Sequence, residues 1–137
     1  MRKRDWLLVA IDNRIEPIQI QKTLFKFAME SQAPEGEKYQ FMPYNWGPCS
    51  FEIYDDLAVM RNEGLIEFIP TGQGWNLYHL TEAGSNLRTK LRKEASPIIL
   101  EMLDKARNFV ITRDFRTLLS DIYKEYPVYA VESMFRD

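Results

Sequence analysis

The sequence predicts an α+β fold, mostly α, and three observations carry that prediction. Apolar residues recur at i, i+4 and i+7 in separate segments, which is helical spacing. Two apolar-rich runs of strand type, LIEFIP and WNLYHL, flank TGQG and read as a β-hairpin. Proline and glycine punctuate the intervals, with no repeat, no low-complexity segment and no linker long enough to divide two domains. A chain of 137 residues with ordinary apolar and charged fractions has the mass for one domain with a real core.

Leu7, Leu8 and Ile11 place a first helix over about residues 4–13. Pro17 suits the first turn of a second helix, whose core stripe is Ile20, Leu24 and Phe27 with Ala28 beside them. Gln19, Gln21, Lys22 and Lys26 take much of its other face. SQAPEGEK is a turn-rich break, and YQFMPY reads as a short extended segment ending before Pro43. A third helix follows. Ser50 is its N-cap, Glu52 favours the positive end of the helix dipole, and Ile53, Leu57 and Met60 form the core face. Gly64 stops it. After the hairpin, Thr81 caps a fourth helix that begins TEAG and turns basic from Arg88 to Lys93. Pro97 starts a fifth, with a stripe of Ile99, Met102 or Leu103, Ala106 and Phe109. A sixth covers about residues 114–125 with Phe115, Leu118, Leu119 and Ile122, and YAVESMF adds a last turn or two beyond Pro127.

That order is the order of a winged helix-turn-helix: a three-helix core plus a two-stranded β-wing, here with extra C-terminal helices. Residues 1–94 are expected to form the winged-helix domain. Residues 95–137 are a helical extension, either part of the same compact domain or a dimerisation element.

Several motifs carry a resemblance. Gly64-Leu65-Ile66 leading into the hairpin, and Leu80-Thr81-x-x-Gly84 leading out of it, resemble winged-helix regulators of the MarR and PadR kind. The segment Phe41-x-Pro43-Tyr44-x-x-Gly47-Pro48, followed by Ser50 and the third helix, is similar to a group of uncharacterised bacterial winged-helix proteins. SocA-like antitoxin and proteolysis-adaptor proteins share a looser version of the Gly-Pro-Ser turn. The resemblance spans residues 20–84, about half the chain. It implies the fold and leaves function open.

The third helix is acidic, with Glu52, Asp55, Asp56 and Glu63 against Arg61. A groove-reading helix would present Ser50, Glu52, Asp55 and either Tyr54 or Asn62. One acid can accept from a cytosine amino group, but several face a strongly negative duplex. The alternatives are a solvated polar face or a surface for an electropositive protein. Basic residues lie elsewhere, at Arg2, Lys3 and Arg4 and at Arg88, Lys90, Arg92 and Lys93. They are candidates for phosphate contact, or else for solubilising charge and helix C-terminal charge. The wing tip brings no lysine or arginine, and the net charge of −2 offers no global attraction to phosphate.

Aromatic residues crowd from Tyr39 to Tyr54. Tyr44 and Trp46, flanking Asn45 in a turn, are the ones expected to be partly exposed and to serve a partner. Otherwise the cluster is a small core that fixes the turn. Cys49 precedes a helix N-terminus, which favours the thiolate, but no resolving partner is evident for a redox switch. His79 is a lone histidine on a strand, and one His with one Cys excludes a structural zinc site of the usual composition. No phosphate loop or nucleophile motif marks an enzyme, and no cofactor is implied.

The start, MRKRDWLLVAIDN, imitates a signal peptide, but its apolar run is too short and Asp12 interrupts it. No stretch approaches the ~20 apolar residues that span a bilayer. A single cysteine and no membrane segment lead to the expectation of a cytoplasmic protein. Phe115, Tyr123, Tyr126, Tyr129 and Phe135 are candidates for a homodimer interface. The expected function is a non-enzymatic regulator that binds double-stranded DNA as a dimer, with contact residues Tyr44, Trp46, Ser50, Glu52, Asp55, Arg61 and Asn62. The alternative is a protein-binding winged helix, antitoxin- or adaptor-like, that uses the acidic helix and the Tyr44–Trp46 turn. Charge around the third helix discriminates between the two.

Overall fold

The computed structural model describes residues 1–135. It is α+β and mostly helical, with six α-helices and two small antiparallel sheets among those residues. The elements run α1 (Lys3–Ala10), β1 (Arg14–Ile15), α2 (Pro17–Glu30), β2 (Met42–Tyr44), β3 (Gly47–Cys49), α3 (Phe51–Asn62), β4 (Ile66–Pro70), β5 (Asn76–Leu80), α4 (Glu82–Glu94), α5 (Pro97–Ile111) and α6 (Phe115–Glu125). A 3-10 turn over Glu35–Glu37 follows α2, and another, Pro127–Ala130, follows α6. No helix among the described residues is long and apolar enough to cross a membrane.

α1 lies in the middle. Trp6, Leu7, Leu8, Val9, Ala10 and Ile11 are all buried, because α2, α3, α4 and α5 surround the helix. The apolar run that imitates a signal peptide is thus a core helix. It ends at Ala10, three residues before the expected stop, since the chain must extend to pair Arg14 with His79 and Ile15 with Tyr78. Its last carbonyls are not left bare. Arg88 Nε donates to the Val9 oxygen at 2.9 Å and Arg107 Nε to the Ala10 oxygen at 3.0 Å. Both guanidinium groups also approach Asp12, at 3.3 and 3.8 Å.

The hairpin falls where the sequence puts it, and β1 adds a third strand to give the order β1-β5-β4. Pro17 is the signal for β1, because a residue before proline is pushed towards extended backbone and its neighbours with it. The second sheet is a tight hairpin, β2 with β3. Pro43 lies within β2, not beyond it, and stands opposite Pro48. Two prolines cannot exchange N–H···O bonds, so this pair occupies a non-bonded position where a missing donor costs nothing. Gly47 takes φ +90°, which closes the turn after Asn45 and Trp46.

The polar face of α2 corrects the sequence expectation most. Gln21, Lys22 and Lys26 are buried rather than solvated, because β3 covers one side of the helix and α5 the other. The Gln21 amide donates to the Ser50 oxygen at 2.9 Å and accepts from the Ser50 N–H at 2.8 Å. Lys26 lies 2.9 Å from Glu30 and 3.6 Å from Glu125, over the Phe109 ring. Ser50 stands at the N-cap of α3, but its side chain does not cap the helix.

The Gly64-Leu65-Ile66 and Leu80-Thr81-x-x-Gly84 signatures meet at one joint. The Thr81 hydroxyl donates to the Gly64 oxygen at 2.6 Å and accepts from the Gly84 N–H at 3.0 Å, while the Thr81 N–H donates to the Leu65 oxygen at 3.1 Å. One threonine therefore ties the end of α3 to the start of α4.

α5 packs along α2 and contributes Leu103 to the main core. Its buried stripe is Leu103, Ala106 and Val110, with Phe109 turned partly outward under Lys26 and Arg113. α6 closes a smaller core of Phe25, Val110, Leu118 and Ile122. Asp114 caps α6 through the Thr117 N–H at 2.8 Å, and that bond holds its carboxyl below the usual range.

Candidate functional site: an aromatic groove beside helix α3

Six aromatic side chains, Tyr44, Trp46, Phe51, Tyr54, Trp75 and Phe115, each keep between 38% and 48% of their surface in solvent. They come from three separate stretches of the chain, residues 44–54, Trp75 and Phe115, yet all line one groove of about 640 Å³. That volume falls within the ~300–1,000 Å³ of ligand-sized clefts. The β2–β3 turn supplies Tyr44 and Trp46, the first turn of α3 supplies Phe51 and Tyr54, the β4–β5 loop supplies Trp75, and α6 supplies Phe115. Rings meet edge to face: Tyr44 with Phe51 at 5.1 Å and Trp46 with Phe115 at 5.6 Å between centroids. Gln21, Lys22 and Cys49 line the floor, while Glu16, Arg113 and Asp114 also border the cavity.

The floor is fixed from beneath. Gln21 locks the backbone at Ser50, and the Lys22 ammonium donates to the Pro48 oxygen at 2.9 Å. Burial pushes Lys22 down to about 8, and the nearby Cys49 opposes this weakly. Burial also pushes the Cys49 thiol up, against the pull of Lys22. The thiol at this helix N-terminus is therefore less acidic than an ordinary one, which removes the thiolate basis for a redox switch.

A buried lysine of this kind has a measurable consequence. Below about pH 8 Lys22 is charged in both folded and unfolded chains, so its full desolvation cost is present. Between about 8 and the ordinary lysine value near 10.5, the unfolded chain holds more protons, and stability rises with pH. Lys22→Met is expected to raise stability at pH 7 by roughly 1–3 kcal/mol and to flatten that rise. Urea unfolding at pH 7, 8 and 9 checks both.

Most of the charges expected to meet DNA are engaged within the chain, Lys93 excepted. Lys3 lies 3.0 Å from Glu52, Arg4 3.5 Å from Glu63, and Arg2 3.2 Å from Asp5. Arg92 forms a fork with Asp104 at 3.0 and 2.9 Å, and Lys90 stands 4.0 Å from Glu94. Arg88 belongs to the end of α1, and Lys93 is exposed. The acids of α3 are partly answered in the same way, since Asp56 also accepts from the Tyr39 hydroxyl at 2.7 Å. Burial first, and then this carboxylate, push Tyr39 well up. Asp55 and Asn62 are exposed, and Arg61 stacks on Phe68 at 4.7 Å. Ser50 is buried and offers no contact surface.

Of the residues named for a dimer, Tyr126 and Tyr129 set their rings against Phe25 at 5.0 and 4.8 Å. Tyr123 donates its hydroxyl to Ser133, and Phe135 packs on Phe115 at 6.0 Å. These aromatics are used within the chain. Tyr44 and Trp46 are exposed as the sequence suggests, but reading it missed their convergence with Trp75 and Phe115. Periodicity within single segments holds no signal for that convergence.

No family model matches the chain, and no curated protein or solved structure matches it either.

Proposed function

We propose that this chain is a non-enzymatic winged-helix protein that binds another protein, and that the aromatic groove is its contact site. The observation that carries this reading is the convergence of six half-exposed aromatic rings on one cleft. Exposed apolar surface costs solubility, and rings gathered at one concave place are the usual material of binding hot spots. The winged-helix assignment is supported by the order β1-β5-β4 and by α1, α2 and α3 preceding β4 and β5. It departs from a plain helix-turn-helix between α2 and α3, where residues 31–50 insert a 3-10 turn and the β2–β3 hairpin. That insertion supplies Tyr44 and Trp46, so the departure from the fold creates the groove.

Duplex DNA is the less favoured partner. Lys3 and Arg4 beside α3 are engaged by its own acids, and the β4–β5 loop offers Thr71, Gln73 and Trp75 without a basic residue. Of the residues named for a dimer, Phe115 alone is largely exposed, and it borders the groove. This reading therefore needs no second copy.

Selection from random peptides displayed with free C-termini tests the proposal. Recovered peptides are expected to be rich in aromatic and aliphatic residues. The double variant Trp46→Ala, Phe115→Ala is expected to bind them at least ~10-fold more weakly, the scale of one or two hot-spot residues. Peptides that bind the double variant as well as the parent would move the contact site elsewhere. Anisotropy of a labelled random-sequence duplex at about 50 and 200 mM salt is expected to show no salt-dependent binding.

A further inference from the structure

We propose that the groove receives the C-terminal end of a partner polypeptide, with apolar side chains against the aromatic walls and the terminal carboxylate at the Lys22 ammonium. This rests on the groove being a contact site for a protein segment. The residue at its floor is unusual. Lys22 is 3% exposed, and its ammonium donates to one neutral acceptor, the Pro48 oxygen at 2.9 Å. An ammonium has three donors to place. Lys26, one helical turn further on, shows what a buried lysine ordinarily has: Glu30 at 2.9 Å and Glu125 at 3.6 Å. Among the described residues, Cys49 is the one titratable group whose field acts on Lys22, and burial keeps that thiol neutral. Among the described residues, Lys22 is thus a buried cation with no carboxylate partner. Such an arrangement is costly, and an arriving anion relieves it.

Neighbouring groups narrow the anion to a chain end. A side chain at Gly47 would begin 3.3 Å from the Tyr123 ring and 3.4 Å from the Lys22 Cε, and glycine keeps that space beside the lysine unfilled. Arg113 does not compete, because Asp121 holds its Nε at 2.8 Å. Glu16 and Asp114 border the cavity and repel an anion that stops beside them, so a carboxylate gains only by reaching the floor. A terminus enters point first. A carboxylate within a loop would drag flanking N–H and C=O groups against apolar rings without partners. The aromatic walls then favour apolar side chains at the last residues of the partner.

The test compares the tightest selected peptide as its free acid and as its C-terminal amide, by calorimetry against three proteins. The parent chain is expected to bind the acid at least ~10-fold more tightly than the amide, the scale of a charge-assisted bond. In Lys22→Met, shown to be folded by its thermal midpoint, that ratio is expected to fall below ~2-fold, since the charge partner is gone. In Trp46→Ala, Phe115→Ala both forms weaken together. Equal binding of acid and amide to the parent chain overturns the chain-end proposal and leaves the groove reading standing. The same is true of an amide penalty that persists in Lys22→Met. Failure of every peptide to bind the parent chain overturns both.

Discussion

Gly84→Ala is expected to destabilise the chain by ~3 kcal/mol or more, the range of severe steric insertion. The thermal midpoint should fall by about 10 °C or more for a domain of this size. The reason is local and specific. The first turn of α4 lies flat on the backbone at Leu65, and a Cβ on Gly84 would be driven into the Leu65 carbonyl oxygen and carbon. These are backbone atoms, held by the Thr81 N–H and the adjoining Thr81–Gly64 bond, and cannot swing aside. The clash is not a matter of glycine's conformational freedom, because Gly84 sits at ordinary helical angles. Ser85→Ala, one residue on and exposed, is expected to stay within ~0.5 kcal/mol of the parent. Comparable losses in the two variants would mean that the joint is looser than described.

The second large effect is expected at Gln21. Gln21→Leu should cost ~2–4 kcal/mol, because it leaves the N–H of buried Ser50 without a partner and its C=O with only the longer bond from the Ile53 N–H at 3.3 Å. Gln21→Glu separates the two bonds. A carboxylate still accepts from the Ser50 N–H but cannot donate to the Ser50 oxygen, and it brings a buried charge close to Lys22. Urea unfolding gives the cost. Hydrogen exchange at Ser50 and along the first turn of α3 shows where it falls. If Gln21→Leu unfolds like the parent and exchange at Ser50 does not quicken, the groove floor is held by something other than this amide.

These two positions also show how far a sequence reading extends. Gly84 lay within a recognisable signature, Leu80-Thr81-x-x-Gly84, yet nothing in the pattern names Leu65 as the neighbour that requires the glycine. Helix starts, the Ile53, Leu57 and Met60 stripe and the β4–β5 hairpin were legible because periodicity and turn chemistry are local. The face of Gln21, Lys22 and Lys26 misled for the opposite reason. Polarity suggested water, whereas each side chain answers a partner distant in sequence: Ser50, Pro48 and, in part, Glu125. The β2–β3 hairpin was hidden by its two prolines, which argue against strands unless they face each other. The basic clusters were visible, but not the pairing of Lys3 with Glu52, Arg4 with Glu63 and Arg92 with Asp104. The groove was half legible: Tyr44 and Trp46 in a turn invite exposure, but tertiary packing alone brings in Trp75 and Phe115.

The three tryptophans offer the most direct test of the groove as the contact site. Trp6 is buried and donates to Glu37 at 2.9 Å, whereas Trp46 and Trp75 both line the cleft. Labelling with 5-fluorotryptophan gives each its own fluorine resonance, assigned by single substitutions to phenylalanine. On titration with the tightest apolar peptide, the Trp46 and Trp75 signals are expected to shift together and saturate at one affinity, while Trp6 stays in place as an internal reference. Random-sequence duplex DNA should leave all three unmoved. Tight peptide binding with Trp46 and Trp75 unshifted, or a saturating response to DNA alone, would contradict the account.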